Sequence, residues 1–231
     1  MGKISSFLER KILASGQGHL LKFLKELNDS ETERYQKQLQ SINWTEMRSL
    51  IREYVLSKSK HQVPAGIIPA PYYPYPTEDK VLLAKYRGFR KLGRRMIMDG
   101  KVALLTVAGG QGTRLGFDGP KGTYPITPVK SKSFFQYFAE KIKGACRNYR
   151  VDLKWLIMTS PVNKTATEDF FKKNNFFGMK ASSVKFFVQG TMPAISMDGK
   201  LIMESKSSLA LSPNGHGGTI RALKDRSEER R

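Results

Sequence analysis

The segment Val102–Gly122, VALLTVAGGQGTRLGFDGPKG, decides how the middle of this chain folds. It opens with an apolar run, Val102–Val107, that predicts a buried strand. Three glycines follow within four positions, and then Arg114 and Lys121 lie seven residues apart. Glycine has no β-carbon, so this backbone can come close to a ligand and turn its N–H groups toward it. Such N–H groups beside two cations predict an anion site, and a nucleotide's phosphates are the natural ligand at the carboxyl end of a strand.

Downstream of this segment, apolar runs and helical patterns alternate. The predicted elements are a strand at 102–107, a helix at 133–149, a strand at 154–159, a helix at 163–174 and a strand at 184–188. This βαβαβ series predicts an α/β fold with a parallel sheet and right-handed crossovers. Segments around Ile195 and at Leu201–Met203 flank the turn dipeptide Asp198-Gly199 and predict a hairpin. Three strands make a thin parallel sheet, so we expect further strands in a C-terminal part that is missing here.

The N-terminal quarter of the chain predicts short helices without visible chemistry. A second helix is expected over Leu20–Leu27. Ser30, with Glu33 three residues later, predicts a capping box for a third helix. Asn43 or Thr45 is expected to cap a fourth.

Prolines separate this helical region from the rest of the chain. Residues 63–77 contain five of them, and each removes a backbone donor and disfavours helix before it. The predicted organisation is an N-terminal helical segment at 1–62, a proline-rich linker at 63–78 and an incomplete core at 79–231.

The charge balance is strongly basic. The chain has 40 lysines and arginines against 20 aspartates and glutamates, a formal net charge of +20. A basic nucleic-acid-binding protein is one interpretation, because counterion release favours cations on polyanions. The cations are spread along the whole chain and no nucleic-acid-binding motif accompanies them, so we rank this interpretation below a small-anion site. An acidic counterpart missing from the chain is a further interpretation.

The small numbers of cysteines and histidines limit which cellular compartments and metal sites fit this chain. The single Cys146 cannot form an internal disulfide, which fits a reducing compartment, and we expect a cytoplasmic protein. No apolar run approaches the length that spans a bilayer, and the N-terminus lacks the apolar region of a signal peptide. One cysteine and three scattered histidines argue against a Cys/His zinc site.

The glycine loop departs from two familiar phosphate-binding motifs. It lacks the Gly-Lys-Ser/Thr ending of the Walker pattern, and its helix starts too late for the dinucleotide fingerprint. It resembles instead the signature of nucleotide-sugar pyrophosphorylases, Gly-Gly-x-Gly-Thr-Arg-Leu with a downstream Pro-Lys. Three more stretches narrow the resemblance: WLIMTS at 155–160, FFVQGTMPA at 186–194 and SPNGHGG at 212–218. Together they resemble the UDP-sugar pyrophosphorylase family, closest to its UDP-N-acetylglucosamine pyrophosphorylase branch.

The resemblance implies a Rossmann-like nucleotidyltransferase core, of which this chain is the N-terminal portion. It implies a uridylyltransferase that joins UTP and a sugar-1-phosphate, with N-acetylglucosamine-1-phosphate favoured, and releases pyrophosphate. An oxygen of the sugar phosphate attacks the α-phosphorus, so catalysis consists of holding two polyanions in line. It also implies Mg²⁺, whose ligand aspartate we expect beyond the end of this chain.

The resemblance also assigns residues. Arg114 is expected to stabilise charge on the departing pyrophosphate, and Lys121 to contact the UTP phosphates. Gln189 is expected to hydrogen-bond the uracil edge, Gly215 to let the backbone approach the base, and His216 to face the sugar phosphate. The turn that is expected to hold the base and ribose consists of Val107, Ala108, Gly109 and Gly110. Two alternatives stay open: a non-catalytic UTP-binding fragment, and the basic nucleic-acid-binding protein.

Overall fold

The computed structural model describes residues 4–57 and 66–228. The helices are α1 (Ser6–Ala14), α2 (Asp29–Gln40), α3 (Trp44–Leu50), α4 (Lys80–Met98), α5 (Phe134–Tyr149), α6 (Lys164–Lys173) and α7 (Thr219–Glu228). The strands are β1 (Ala103–Val107), β2 (Lys154–Thr159), β3 (Val184–Val188), β4 (Thr191–Pro193), β5 (Met203–Ser205), β6 (Ser208–Leu209) and β7 (Leu211–Pro213).

Contacts divide the chain into two compact units. The N-terminal unit comprises the described residues up to Pro69 together with Thr191–Ser212. The sheet unit comprises Ala70–Gly190 and the described residues from Pro213 onward. The sequence predicted a continuous core at 79–231, whereas the contacts group residues 191–212 with the N-terminal unit. The predicted limits of the linker stay a prediction, because residues 58–65 lie outside the described residues.

Within the two described ranges, no helix combines the length and the apolar character that crossing a bilayer requires. The cytoplasmic location stays a prediction.

The N-terminal unit corrects two local predictions. The second helix is replaced by two 3₁₀ turns, Gly18–Leu21 and Leu24–Glu26, which are common as short connectors. The capping box lies two residues earlier than expected. The side chain of Asn28 accepts from the N–H of Glu31, whose carboxylate accepts from the N–H of Asn28. Asparagine is among the strongest N-cap residues and therefore starts the helix before Ser30 does.

The fourth predicted helix starts where one of its two candidate caps places it. Asn43 caps α3, since its side chain accepts from the N–H of Glu46 at 3.2 Å. Thr45 lies inside the helix. The chain continues beyond α3 as a π-helical turn at Ile51–Leu56.

The predicted hairpin is confirmed and belongs to the N-terminal unit. Ile195 and Leu201 face each other as an antiparallel pair, and Gly199 takes a φ of +80° in the turn between them. The buried side chain of Gln17 makes two hydrogen bonds to this hairpin, one in the turn and one just after it. Its amide donates to the carbonyl of Gly199 at 2.8 Å and accepts from the N–H of Leu201 at 2.9 Å.

The sheet unit confirms the predicted α/β order. β1, β2 and β3 form one parallel sheet in that spatial order, with Val107 opposite Met158 and Thr159 opposite Val188. α5 connects β1 to β2, and α6 connects β2 to β3. The core is rich in aromatic rings; Phe135 and Phe171 have centroids 4.9 Å apart. Because the three strands are parallel, their carboxyl ends meet at one edge of the sheet.

Candidate functional site

A pocket of about 530 Å³ opens at the carboxyl edge of the sheet, within the size range of small-molecule sites. It lies between the end of β1 with the glycine loop, the start of α5 and the residues after β3. Its lining residues are Thr106, Val107, Ala108, Gly109, Gly110, Lys121, Gly122, Phe134, Phe135, Phe138, Gln189, Pro213 and Gly215.

The glycine loop folds back on itself and brings Lys121 to the pocket. The N–H of Gly112 donates to the carbonyl of Gly119 at 2.8 Å, and the N–H of Lys121 donates to that of Gly110 at 3.0 Å. Through these bonds Lys121 returns to the start of the loop. A β-carbon placed on Gly110 would lie 4.0 Å from Nζ of Lys121. The loop therefore presents an ammonium group beside its own glycines.

Gly122 anchors the far end of the loop on the core. A β-carbon at this position would lie 2.1 Å from Cζ of Phe135. That ring is 1% exposed and cannot swing into solvent. Only glycine fits between the lysine and the ring, so close backbone packing fixes where Lys121 begins.

Gln189 closes the opposite side of the pocket. Its backbone continues the β3 ladder, with its N–H donating to the carbonyl of Thr159 at 2.7 Å. Its side-chain Nε2 donates to the carbonyl of Gly215 at 3.1 Å. Its Oε1 lies 2.8 Å from the point where Gly109 would carry a β-carbon. This bond uses one of the two hydrogens of Nε2, and Oε1 is the acceptor that Gln189 can offer to a ligand.

The structure brings most of the predicted site residues together. Those that line the pocket are Val107, Ala108, Gly109, Gly110, Lys121, Gln189 and Gly215. Arg114 lies on the exposed 3₁₀ turn Thr113–Leu115 and is not among the lining residues. His216 starts the 3₁₀ turn His216–Gly218, and its side chain lies outside the described part. The catalytic and binding roles of all these residues stay predictions.

Sequence reasoning missed the support beneath the glycine loop. The side chain of Asn163 is 1% exposed, and its Nδ2 donates to the carbonyls of Ala108 at 2.9 Å and Gly110 at 3.3 Å. Its Oδ1 accepts from the N–H of Ser160 at 2.9 Å. The signal available in the sequence was an asparagine shortly after a strand's carboxyl end, where ligands of parallel sheets bind.

The aromatic wall of the pocket was also missed as part of the site. Phe134, Phe135 and Phe138 lie in the first two turns of α5 and line the pocket. Phe135 is also part of the core, at 1% exposed. The start of the helix also reaches the carboxyl edge of the sheet, and helical periodicity does not show this.

Among the lining residues that the structure describes, Lys121 is the only charged one, and none carries a carboxylate. Glu140, on α5, is already paired: its hydrogen bond with Lys132 holds the pKa of its carboxyl below the usual range. Across residues 4–57 and 66–228, no group of three or more His, Cys, Asp or Glu side chains could hold a metal ion. The described residues therefore do not fit a Mg²⁺ site built from this chain's own side chains.

Comparison with known proteins decides the family. The model of the UTP–glucose-1-phosphate uridylyltransferase family matches residues 32–228, most of the chain. The chain belongs to this family. The predicted resemblance to UDP-sugar pyrophosphorylases is thereby confirmed.

Relatives within this uridylyltransferase family indicate the branch. UDP-N-acetylglucosamine diphosphorylase 2 of Arabidopsis thaliana is 35% identical over 90% of this chain and 43% of its own length. UDP-N-acetylglucosamine pyrophosphorylase of Saccharomyces cerevisiae is 34% identical over 92% and 47%, respectively. The chain thus spans a little under half the length of these relatives.

A solved structure confirms the fold. The crystal structure of the uridine diphosphate N-acetylglucosamine pyrophosphorylase from Trypanosoma brucei, in complex with inhibitor, is 26% identical with a TM-score of 0.72. The match covers 96% of this chain and 46% of that one. The Rossmann-like nucleotidyltransferase core is therefore present here as its N-terminal portion.

Proposed function

We propose that the pocket binds UTP and that the protein transfers its uridylyl group to a sugar-1-phosphate. One observation carries the proposal: a single pocket holds an oriented amide acceptor and, beside a glycine turn, one ammonium group. Uracil carries an N–H donor on its pairing edge, whereas cytosine carries an acceptor at that position. Oε1 of Gln189 accepts and does not donate, so it matches the ring N–H of uracil, for which cytosine has no donor at the same position.

The glycine turn suits the phosphate end of the nucleotide. Without side chains, Gly109 and Gly110 leave space for close approach, and Lys121 supplies a point charge that phosphate oxygens can share. The apolar lining from α5 fits the flat base and ribose.

In the proposed reaction an oxygen of the sugar phosphate attacks the α-phosphorus of UTP. The new P–O bond forms as the bond to the β-phosphate oxygen breaks, and pyrophosphate leaves with its electron pair. The protein contributes position and positive charge. Arg114 is proposed to stabilise the leaving pyrophosphate, and His216 to face the sugar phosphate. The Mg²⁺ that the resemblance implies stays a prediction.

N-acetylglucosamine-1-phosphate is the proposed sugar substrate. The support is that the matching relatives in Arabidopsis thaliana and Saccharomyces cerevisiae carry this sugar in their names. Because the chain spans less than half of their length, binding of UTP is the part of the proposal that the pocket itself supports. Transfer is a proposal for the whole protein.

Thermal unfolding with UTP tests the binding step. We expect millimolar UTP to raise the melting temperature by mass action, and CTP to raise it less. Lys121→Ala removes a charge-assisted contact worth about 1.5–3 kcal/mol, so its affinity for UTP should fall about 10- to 100-fold. Lys91→Ala, on α4, is the matched control and should respond to UTP as the wild type does. A wild type that does not respond, or a Lys121→Ala variant that responds equally, would contradict the proposal.

Pyrophosphate release tests the transfer step. The protein is incubated with UTP and either N-acetylglucosamine-1-phosphate or glucose-1-phosphate, and free pyrophosphate is measured. Release with the first sugar above the second supports the proposed substrate. Binding of UTP without release from either would favour the non-catalytic fragment. Binding of single-stranded RNA with a steep salt dependence, not competed by UTP, would favour the nucleic-acid interpretation.

A further inference from the structure

Asn163 occupies the N-cap position of α6 but does not cap the helix with its side chain. Asparagine at this position usually accepts a hydrogen bond from the first turn. Here Oδ1 accepts from the N–H of Ser160, and both hydrogens of Nδ2 point to carbonyls of the glycine loop. The side chain is 1% exposed, so these bonds form away from water, where an unmade bond is costly. The side chain of Asn163 therefore acts as a clamp that holds the glycine loop, and it does not cap α6.

The two clamped carbonyls, those of Ala108 and Gly110, flank Gly109. In a planar trans peptide the carbonyl and the following N–H point in opposite directions. Asn163 holds the carbonyl of Ala108, and it holds that of Gly110 together with the N–H of Lys121. The N–H groups of Gly109 and Gln111 are therefore turned to the other side of the loop. Within the described residues, neither N–H has a backbone partner. Of the two residues, Gly109 lines the pocket, so its N–H is the one available to a ligand there.

We propose that Asn163 is a positioning residue for UTP: its amide fixes the peptide orientation with which the glycine loop receives the nucleotide. This inference rests on the proposed function. Glycines give the loop freedom, and that freedom must be removed before binding if the N–H groups are to be aimed in advance. Asn163 removes it without touching the ligand. It uses one acceptor and two donors, a combination that neither aspartate nor serine supplies.

The decisive variant is Asn163→Asp, which keeps the shape and loses both donors. Its carboxylate would face two carbonyl oxygens in a buried site, and both features raise its pKa. At pH 8 the ionised form should repel the loop carbonyls, and UTP affinity should fall about 10-fold. As the pH falls, the carboxyl gains a proton and can donate again, so affinity should recover toward that of the wild type.

Isothermal titration calorimetry at pH values from 5.5 to 8 measures this effect. The ratio of variant to wild-type dissociation constants is the readout, because ionisation of UTP itself cancels in that ratio. We expect the ratio to shrink at low pH. A ratio near one at every pH, or a loss that does not change with pH, would overturn the proposal, since a purely structural role predicts no recovery.

Two further variants protect the test against misfolding. Asn163→Ser places a good N-cap residue at the start of α6, so the variant should fold, yet its single hydroxyl cannot hold both carbonyls. Its UTP affinity should also fall. Thr167→Val, one turn along α6, replaces a buried hydroxyl without a hydrogen-bond partner and should leave affinity unchanged. If the wild type fails to bind UTP, the proposed function fails. If the wild type binds UTP and the Asn163 variants bind it equally well, this inference fails and the proposed function stands.

Discussion

In each of the two units, a buried side-chain amide holds a backbone turn that is distant in sequence, but the two amides bind different backbone groups. In the N-terminal unit, Gln17 is 2% exposed and binds the backbone of the hairpin at residues 199 and 201. In the sheet unit, Asn163 is equally buried and binds the glycine loop at residues 108 and 110. Both hold a turn that is far away in sequence, and both replace a bond that the turn cannot make by itself.

The difference lies in which backbone groups each amide takes. Gln17 takes one carbonyl, that of Gly199, and one N–H, that of Leu201, as a neighbouring strand would. Asn163 takes two carbonyls and leaves the opposite N–H groups without a backbone partner in the described residues. The comparison teaches that a clamp which takes both kinds of group completes a structure. A clamp that takes only carbonyls from its loop, as Asn163 does, leaves loop N–H groups for the proposed ligand.

The largest expected effect tests whether packing holds the glycine loop more firmly than the amide does. Gly122→Ala would drive a methyl group into Phe135, whose ring packs against Phe171 and Trp155. Overpacking of this severity should cost about 3 kcal/mol of unfolding free energy. Gly144→Ala, on the same helix as Phe135 and with nothing within 4 Å, is the control and should be neutral or slightly stabilising. Urea unfolding measures both, and an unchanged midpoint for Gly122→Ala would show that packing of Gly122 on Phe135 does not hold the loop.

The next effect separates a structural clamp from a binding clamp. Gln17→Ala leaves the carbonyl of Gly199 and the N–H of Leu201 without partners in a buried setting, which should cost about 2 kcal/mol. UTP affinity should stay that of the wild type. Gln38→Ala removes a single bond to the N–H of Leu209 from a half-buried side chain and should cost less. The comparison breaks if Gln17→Ala weakens UTP binding at a temperature where the variant is fully folded.

Much of this arrangement could be predicted from the sequence, for reasons that particular residues show. The alternation of apolar runs fixes β1, β2 and β3, because buried parallel strands need such runs. The glycines and Lys121 predict an anion site, and the structure brings Gly109, Gly110 and Lys121 to one pocket. Gln17 and Asn163 were not predicted as clamps. Each acts over a long stretch of chain, 182 residues for Gln17 and 55 for Asn163, and local patterns carry no information on such pairs.

The N-terminal unit shows the same limit. Periodicity predicted a helix over Leu20–Leu27, and the chain forms 3₁₀ turns. The side chains of Gln17 and His19 hold the hairpin here; His19 Nε2 lies 2.8 Å from the carbonyl of Leu201. Contacts with residues some 180 positions away therefore override a local preference. The inclusion of residues 191–212 in this unit could not be predicted from the sequence for the same reason.

The smallest expected effect is on UTP affinity, and it is tested at two adjacent glycines that line the pocket. Gly109→Ala would place a methyl group 2.8 Å from Oε1 of Gln189, the acceptor proposed for uracil. The amide can turn aside, so the fold should survive with little change in melting temperature. UTP affinity should fall about 10-fold, close to the worth of one hydrogen bond, and the preference for UTP over CTP should shrink.

Gly110→Ala is the matched control, because its nearest neighbours, Cε and Nζ of Lys121, would lie 4.0 Å from the new methyl group. It should keep the preference for UTP over CTP even if overall affinity declines slightly. Calorimetric titration of both variants with the two nucleotides measures the difference. Equal loss of discrimination in both would place base recognition away from Gln189. In that case Asn163 would clamp a loop that grips phosphate alone, and the two buried amides would differ less than their bonding suggests.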